Sequence, residues 1–422
     1  MRKLLGLTVS ALMLFGSGFM AWADTFCGDV KPRADGPYLF YNEDGSARMV
    51  SIGPEGNILD TVFVSGLPGD FSVRVEGQSG KYAFDVPVVR KSRPRWNYRQ
   101  ARRTFIVSDP HGKMDIFVEL LMRNGIVDKG MKWSFGRNHL VVIGDVFDRG
   151  EDVTQILWLL YKLESEAENA GGRLSFLLGN HEPMVLAGDL RYTEKKYLDV
   201  ADTLGLTVPA LYGGNTELGR WLATRNTIEK AGRNIFVHAG LGPEMPGLGL
   251  TIPEINLAVS SGLFKDRAQR YADPVLKTLY TNPGPLWYRG LVLEEERYNP
   301  IEPSELETVL GYFDAARMFV GHTVMDDITV LWDGRVIAVN VDYEENLRSG
   351  RGMAVMLKRN RTSDYLQVIK GDSTLKPHIT VGQVSLDRTF DDTAISRIAL
   401  LSLGIHIAQS RANGLRAKQR AG

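Results

Sequence analysis

Five short apolar runs constrain this chain more than any other feature: Thr104–Val107, Leu140–Ile143, Leu174–Leu178, Ile235–Val237 and Met318–Val320. Each is rich in valine, isoleucine, leucine or phenylalanine and short enough for a buried strand. Between them lie segments of helical periodicity. Ile116, Leu120 and Leu121 share one face, and Val153, Ile156, Leu157 and Leu160 share another. Strands alternating with helices predict an α/β layered fold. The runs end in Ser108-Asp109-Pro110-His111-Gly112, Gly144-Asp145-Val146-Phe147-Asp148-Arg149-Gly150, Gly179-Asn180-His181-Glu182, His238-Ala239-Gly240 and Gly321-His322. Ligands of such folds bind outside the carboxyl ends of the strands. Four of the seven histidines lie at these ends. Distant parts of the chain therefore deliver aspartate, asparagine and histidine toward one place.

The chemistry of that set is metal chemistry. The lone Cys27 excludes an intrachain disulfide framework and a cysteine-rich zinc site, so ligands must be imidazole, carboxylate and amide. The donors are too many for one tetrahedral ion, and an aspartate on a neighbouring strand can bridge two. Two ions ~3.5–4 Å apart clamp the attacking and leaving oxygens of an in-line displacement at phosphorus and ready a water for attack. Glycines beside the ligands permit sharp turns. His139, His378 and His406 lack a partnering motif and read as structural or exposed. Glu182 reads as a support for the turn, and Trp158, Trp221 and Trp332 as packing residues.

The ordered set of strand-end motifs resembles the calcineurin-like metallophosphoesterases. Asp148-Arg149-Gly150 is similar to the phosphoprotein phosphatase branch. Gly188-Asp189-Leu190-Arg191-Tyr192 and Trp287-Tyr288-Arg289-Gly290 are similar to the Shewanella-like phosphatases. The resemblance runs roughly from residue 104 to 345 and implies an αββα sandwich of two mixed sheets with a dinuclear metal site at the strand ends. By the same resemblance, Asp109, His111 and Asp145 hold one metal. Asp145, Asn180, His238 and His322 hold the second, with Asp145 bridging. His181 is then the general acid, and Asp148 orients it. Arg149 grips the phosphate. Arg289 is a second phosphate contact, unless it stacks on Trp287 or Tyr288, and Arg191 is a substrate contact. Two divalent ions are implied, manganese first, with iron or zinc as alternatives. Ser108 and Pro110 depart from the family's usual residues around the first aspartate, but neither changes a ligand.

The remaining chain divides by pattern. Arg2-Lys3, the apolar run Leu4–Met20 and Ala21-Trp22-Ala23 follow the plan of a secretory signal peptide over residues 1–23, the alternative being a retained membrane anchor. Residues 24–100 read as a β-rich segment or module, with runs Pro37–Tyr41, Ala47–Ile52, Thr61–Ser65, Phe71–Val75 and Tyr82–Val89. Arg90–Arg103 carries seven basic residues in fourteen and reads as a connector or a solvated face. The resemblance implies a metallophosphoesterase domain over residues 101–370. Within it, 183–232 is an expected helical insertion carrying Lys195, Lys196, Arg220 and Arg225, which either shapes the mouth of the site or forms an ordinary subdomain. Ile328–Trp332 and Arg335–Val341 flank the hairpin signal Asp333-Gly334. Residues 371–422 are a C-terminal extension with a basic tip, expected as a docking helix or a membrane-surface helix.

Lysine plus arginine and aspartate plus glutamate both number 50, which argues against nucleic acid bound by bulk charge. The expected function is an exported phosphatase, periplasmic or secreted in a bacterium, with no stable membrane insertion after signal removal. Its expected substrates are phosphomonoesters, with a lean to phosphotyrosine on phosphoproteins. The alternatives are a dinucleoside polyphosphate hydrolase and a non-catalytic, metal-stabilised binding protein.

Overall fold

A computed structural model describes residues 33–360 and 364–371 and the backbone of 380–386. Residues 1–23, the expected signal segment, most of 371–422, expected to hold a helix and basic tip, and Cys27, His378 and His406 lie outside the described residues.

Two six-stranded mixed sheets form the body. The first runs in the order Thr380–Leu386 (β17), Asp364–Lys370 (β16), Gly352–Arg359 (β15), Arg103–Val107 (β7), His139–Val142 (β8), Arg173–Phe176 (β9). β7, β8 and β9 are parallel, and β15 meets β7 antiparallel. The second runs Thr329–Leu331 (β13), Val336–Ala338 (β14), Arg317–Val320 (β12), Asn234–Val237 (β11), Ile228–Ala231 (β10), Asn97–Tyr98 (β6). β11, β12 and β14 are parallel there. All five expected runs are strands; β8, β11 and β12 are buried throughout, and β7 and β9 everywhere but at their opening arginines, Arg103 and Arg173. Strands buried on both faces need continuous apolar runs, which explains why alternation is absent from their sequences. Helices Met114–Arg123 (α1) and Val153–Asn169 (α2) follow β7 and β8, as the periodicity of Ile116–Leu121 and Val153–Leu160 requires.

The β-rich segment forms two small antiparallel sheets. One orders Asp35–Tyr41 (β1), Ala47–Ile52 (β2) and Ile58–Phe63 (β3); the other pairs Ser72–Glu76 (β4) with Ala83–Pro87 (β5). The third strand begins earlier than Thr61, because Ile58 pairs with Ile52 and Phe63 with Ala47 across a tight turn. Tyr38, Phe40, Val50, Val73 and Phe84 enter the same hydrophobic core as α2 and the large sheets. Trp158 Nε1 donates to Pro37 O at 2.9 Å, and Gln155 Nε2 to Asp35 Oδ1 at 2.9 Å.

The basic connector is pinned rather than solvated at its centre. Lys91 Nζ donates to Tyr161 O at 2.8 Å and lies 3.1 Å from Glu164 Oε2. Arg93 reaches Arg225 O at 2.9 Å and Ser260 Oγ at 2.6 Å. Residues 183–232 do hold helices, Lys195–Thr203 (α4), Val208–Leu211 (α5) and Glu217–Leu222 (α6), after His181–Leu186 (α3). Two of its four cations are buried supports and not mouth residues. Lys196 Nζ bonds Asp35 Oδ1 at 2.6 Å, and Arg225 pairs with Glu164. Lys195 pairs with Asp199 at 2.5 Å on the surface, and Arg220 lies over the Tyr41 ring. The Asp333-Gly334 hairpin is present as β13 and β14. Trp158 and Trp221 are core residues, and Trp332 donates to Leu291 O at 2.8 Å. No helix among the described residues is long and apolar enough to cross a membrane.

Candidate metal centre

The carboxyl ends of β7, β8, β9, β11 and β12 meet at one edge of the two sheets. The loop after β7 carries Asp109 and His111, and that after β8 carries Asp145, Asp148 and Arg149. Asn180 and His181 open α3, which follows β9. His238 ends β11 and His322 follows β12. Asp109, His111, Asp145, Asp148, Arg149 and His322 adopt φ between 42° and 72°, a region L-residues enter only where the surroundings require it.

Asp145 is the hub. Its Oδ1 accepts from His181 N at 2.9 Å, and its Oδ2 lies 3.1 Å from His238 Nε2 and 3.8 Å from His181 Nε2. Ligand atoms of His111, Asp145 and His181 lie within 4.8 Å of one another, and so do those of Asp145, His238 and His322. Asp145 is common to both groups. Asn180 Oδ1 sits 2.9 Å from His238 Nε2. Asp109 borders the cluster with Oδ1 3.9 Å from His238 Nδ1, and accepts bonds from Ser108 Oγ and Asn340 Nδ2. The compact first group therefore contains His181 where the sequence reading has Asp109.

The donor set fits divalent cations. His111 Nδ1 and His238 Nδ1 face the carbonyls of Phe147 and Ile143, each at 2.8 Å, which places a proton on each Nδ1 and leaves Nε2 as the atom that a cation would take. His322 Nε2 is buried without a hydrogen-bond partner, an orphan that a cation would satisfy. Burial pushes His111 down to about 3 and His322 well below its usual value, so both are neutral ligands. Burial opposes ionisation of Asp145, yet His238 and His181 hold its carboxyl well below the usual range. Burial also opposes charging of His238, but Asp145 outweighs it and lifts the imidazole to about 9. Burial raises Asp109 to about 7. The loops touch closely enough to demand glycine. A Cβ on Gly179 would stand 2.1 Å from Asp145 Oδ1, and one on Gly144 would stand 2.8 Å from His238 Nδ1.

His181 is held differently from the other histidines. Its Nδ1 lies 2.6 Å from Asp148 Oδ2, and Thr193 Oγ1 donates to Asp148 Oδ1 at 2.7 Å. Burial opposes its charging, but Asp145 and Asp148 prevail and raise its pKa. Glu182 is buried beneath the loops and accepts from Gly179 N at 2.6 Å, Val146 N at 2.8 Å and Asp145 N at 3.2 Å. Burial, then Asp145, raises its carboxyl to about 7.

The three arginines separate. Arg149 is exposed at the rim, its amide bonded to Tyr192 O at 2.9 Å and its guanidinium 5.7 Å from the Tyr192 ring. Arg289 donates to Thr323 Oγ1 at 3.1 Å, and it is Trp287 whose ring packs against His322. Arg191 is not brought into the cluster; it forms a two-pronged pair with Asp189, both bonds 2.8 Å, on the surface. The sequence reading missed Asn340, Thr193 and Tyr343, whose hydroxyl donates to Ser108 O at 2.6 Å. Asn340 had a legible signal, since it lies just past the end of β14, parallel to β12.

Imidazoles and carboxylates converging at the carboxyl edge of two mixed sheets form a candidate site for divalent cations. The profile of the calcineurin-like phosphoesterases matches residues 102–326, more than half of the chain. The chain belongs to the calcineurin-like phosphoesterase family, a family that implies divalent metals. Shewanella-like protein phosphatase 2 of Arabidopsis thaliana is 25% identical over 335 residues, 69% of this chain and 83% of that protein. The symmetrical bis(5'-nucleosyl)-tetraphosphatase of Buchnera aphidicola is 27% identical over 189 residues, 44% of this chain and 59% of that one. Among solved structures, the cold-active protein-tyrosine phosphatase of a psychrophilic Shewanella species superposes with a TM-score of 0.71 and 29% identity, covering 82% of this chain and 99% of that one. The chain is thus a phosphatase-like hydrolase, similar to the Shewanella-like protein phosphatases.

Proposed function

We propose that this protein is an exported, manganese-dependent phosphatase that removes phosphate from phosphoproteins, with phosphotyrosine the favoured group. The observation that carries the reading is Asp145 shared between two imidazole groups, with the Asp148-bonded His181 beside it. Two bound divalent ions supply Lewis acidity toward the phosphoryl oxygens and a water of lowered pKa. Asp109, His111, Asp145, Asn180, His238 and His322 would hold them; the carboxylate and amide oxygens suit manganese, and the imidazoles suit iron or zinc as well.

Arg149 grips the phosphoryl oxygens from the rim, and Arg289 adds positive charge from the far side, 3.1 Å from Thr323. His181, held through Nδ1, presents Nε2 to the leaving oxygen and donates the proton it needs. Tyr192, 47% exposed and 5.4 Å from the His181 ring, offers a flat wall for an aromatic leaving group. The Shewanella relative, a protein-tyrosine phosphatase, supports the same substrate. Export rests on the basic start, apolar run and Ala-Trp-Ala of residues 1–23.

The test is a substrate panel on the purified protein with added manganese, run with elemental analysis. Phosphotyrosine peptides are expected to outpace phosphoserine peptides and nucleotides. Faster release of mononucleotides from dinucleoside tetraphosphate would replace this reading. His181→Asn is expected to cut turnover while metal content persists.

A further inference from the structure

The edge opposite the metal centre carries a second concentration of chemistry that the hydrolytic reading leaves unused. A cavity of about 310 Å³ opens there, lined by Arg99, Gln100, Arg233, Arg317, Arg359 and Asp364 among others. Its walls come from five segments: the connector before β7, the β10–β11 turn, the start of β12, the end of β15 and the first residue of β16. Arg317 opens the strand that His322 follows, so the cavity lies ~16 Å from that ligand, at 3.3 Å per residue.

Four arginines and one aspartate line the cavity. Asp364 is already engaged, because its Oδ2 lies 3.2 Å from Arg317 Nη1, which also donates to Asn234 Oδ1 at 3.0 Å. These anchors fix the buried Arg317 as a preformed fork. Arg359 Nη1 is oriented by Gln100 O at 3.3 Å, and Arg233 Nη2 donates to Ala315 O at 3.4 Å. Gln100 Nε2 is buried with no hydrogen-bond partner, a further donor without an acceptor. The chain as a whole balances 50 basic against 50 acidic residues, so this excess is local and not a property of the composition. Four arginines around one concavity, one of them already paired with Asp364, leave a local positive excess that attracts anions.

We propose that this cavity is a second oxyanion site, separate from the metal centre, that binds a phosphate-type dianion. Planar forks and an amide donor suit tetrahedral oxyanions, which accept several bonds at once. A flat membrane surface is less well matched, because the cavity is concave and Arg317 lies on its floor at 3% exposure.

The experiment is equilibrium dialysis of the metal-loaded full chain against radiolabelled inorganic phosphate. The test variant is Arg99→Gln/Arg233→Gln, both exposed positions outside the metal centre. The wild type is expected to bind one more phosphate per chain than the variant, with a Kd of about 1 mM or tighter. Hydrolysis of p-nitrophenyl phosphate stays within twofold. Arg359→Gln with unchanged thermal midpoint is expected to weaken the same phosphate. Equal stoichiometry in wild type and variants overturns the proposal. So does loss of binding to phosphatidylserine vesicles with no change in phosphate bound, which would assign the surface to lipid headgroups. Because the readout is a difference in stoichiometry, it stands or falls independently of the substrate preference proposed above.

Discussion

Asp148→Asn tests the division of labour between the metal ligands and His181. Asp148 is buried, and its Oδ2 meets His181 Nδ1 at 2.6 Å. Thr193 donates to Oδ1 at 2.7 Å and so keeps an oxygen at that position after substitution. The new amide nitrogen must then face Nδ1, where it opposes the protonated imidazole. A charge-assisted hydrogen bond of this kind contributes about 1.5–3 kcal/mol. Its loss corresponds to about a 10- to 150-fold fall in any step that needs the proton. The assay is kcat on two phenyl phosphates of different leaving-group acidity, with metal content measured on the same samples. A p-nitrophenolate leaves without much help, whereas a tyrosine phenolate, with a conjugate-acid pKa of about 10, needs the proton. The substitution should therefore slow phosphotyrosine hydrolysis far more than p-nitrophenyl phosphate hydrolysis. An equal fall on both substrates, or a fall in bound metal, refutes the proton-donor role and makes His181 a ligand of the first ion, as its closeness to His111 and Asp145 also permits.

Three further outcomes follow from particular contacts. Gly179→Ala places a methyl 2.1 Å from Asp145 Oδ1, so elemental analysis should show loss of bound metal while circular dichroism stays native. Lys196→Ala strands the buried carboxylate of Asp35 and should cost about 3–5 kcal/mol in urea denaturation, while the exposed Lys195→Ala should cost less than about 0.5 kcal/mol. Burial lifts Glu229 to about 7 from an ordinary 4.5, so the folded chain keeps a proton that the unfolded chain has already released. Its contribution is complete below 4.5 and shrinks by about 3 kcal/mol as pH rises to 7, and Glu229→Gln should flatten that slope of stability against pH.

The strand ends were legible because each couples a short apolar run to a glycine and a ligand residue type, a pattern that local sequence records in full. What escaped depends on partners far away in the chain. Lys196 and Arg225 read as mouth cations, but Asp35, 161 residues away, and Glu164, 61 residues away, draw them into the interior. Charge type is local information, and burial is not. Asn340 escaped for a related reason. The hairpin signal explained its strand by the antiparallel partner β13, while the parallel partner β12 is what carries its end to the metal edge. The small N-terminal sheets left no mark of where they pack, because their docking rests on Asp35, Tyr38 and Phe40 meeting helices whose sequences read as ordinary amphipathic surfaces.

The backbone of the site shows what the rest of the fold is required to do. Six of the eleven non-glycine residues with positive φ among the described residues are Asp109, His111, Asp145, Asp148, Arg149 and His322. Each such conformation costs on the order of 1–3 kcal/mol, and persists only where neighbours leave no alternative. Here the loops hold one another. Asp109 N donates to Gly144 O at 3.2 Å, His111 N to Asp145 O at 3.0 Å, Gly321 N to His238 O at 2.7 Å and Arg149 N to Tyr192 O at 2.9 Å. Glu182 gathers three further amides from two loops under Asp145. Every strained ligand loop is thus bonded to a loop on a different strand, and both sheets take part. Protein–protein hydrogen bonds shape the coordination geometry, so cation binding does not have to bear the entropy of assembling it. This also explains why two strand ends meeting at Gly144 and Gly179 tolerate no side chain: the rigidity that presets the ligands leaves no slack in which a methyl group could be absorbed.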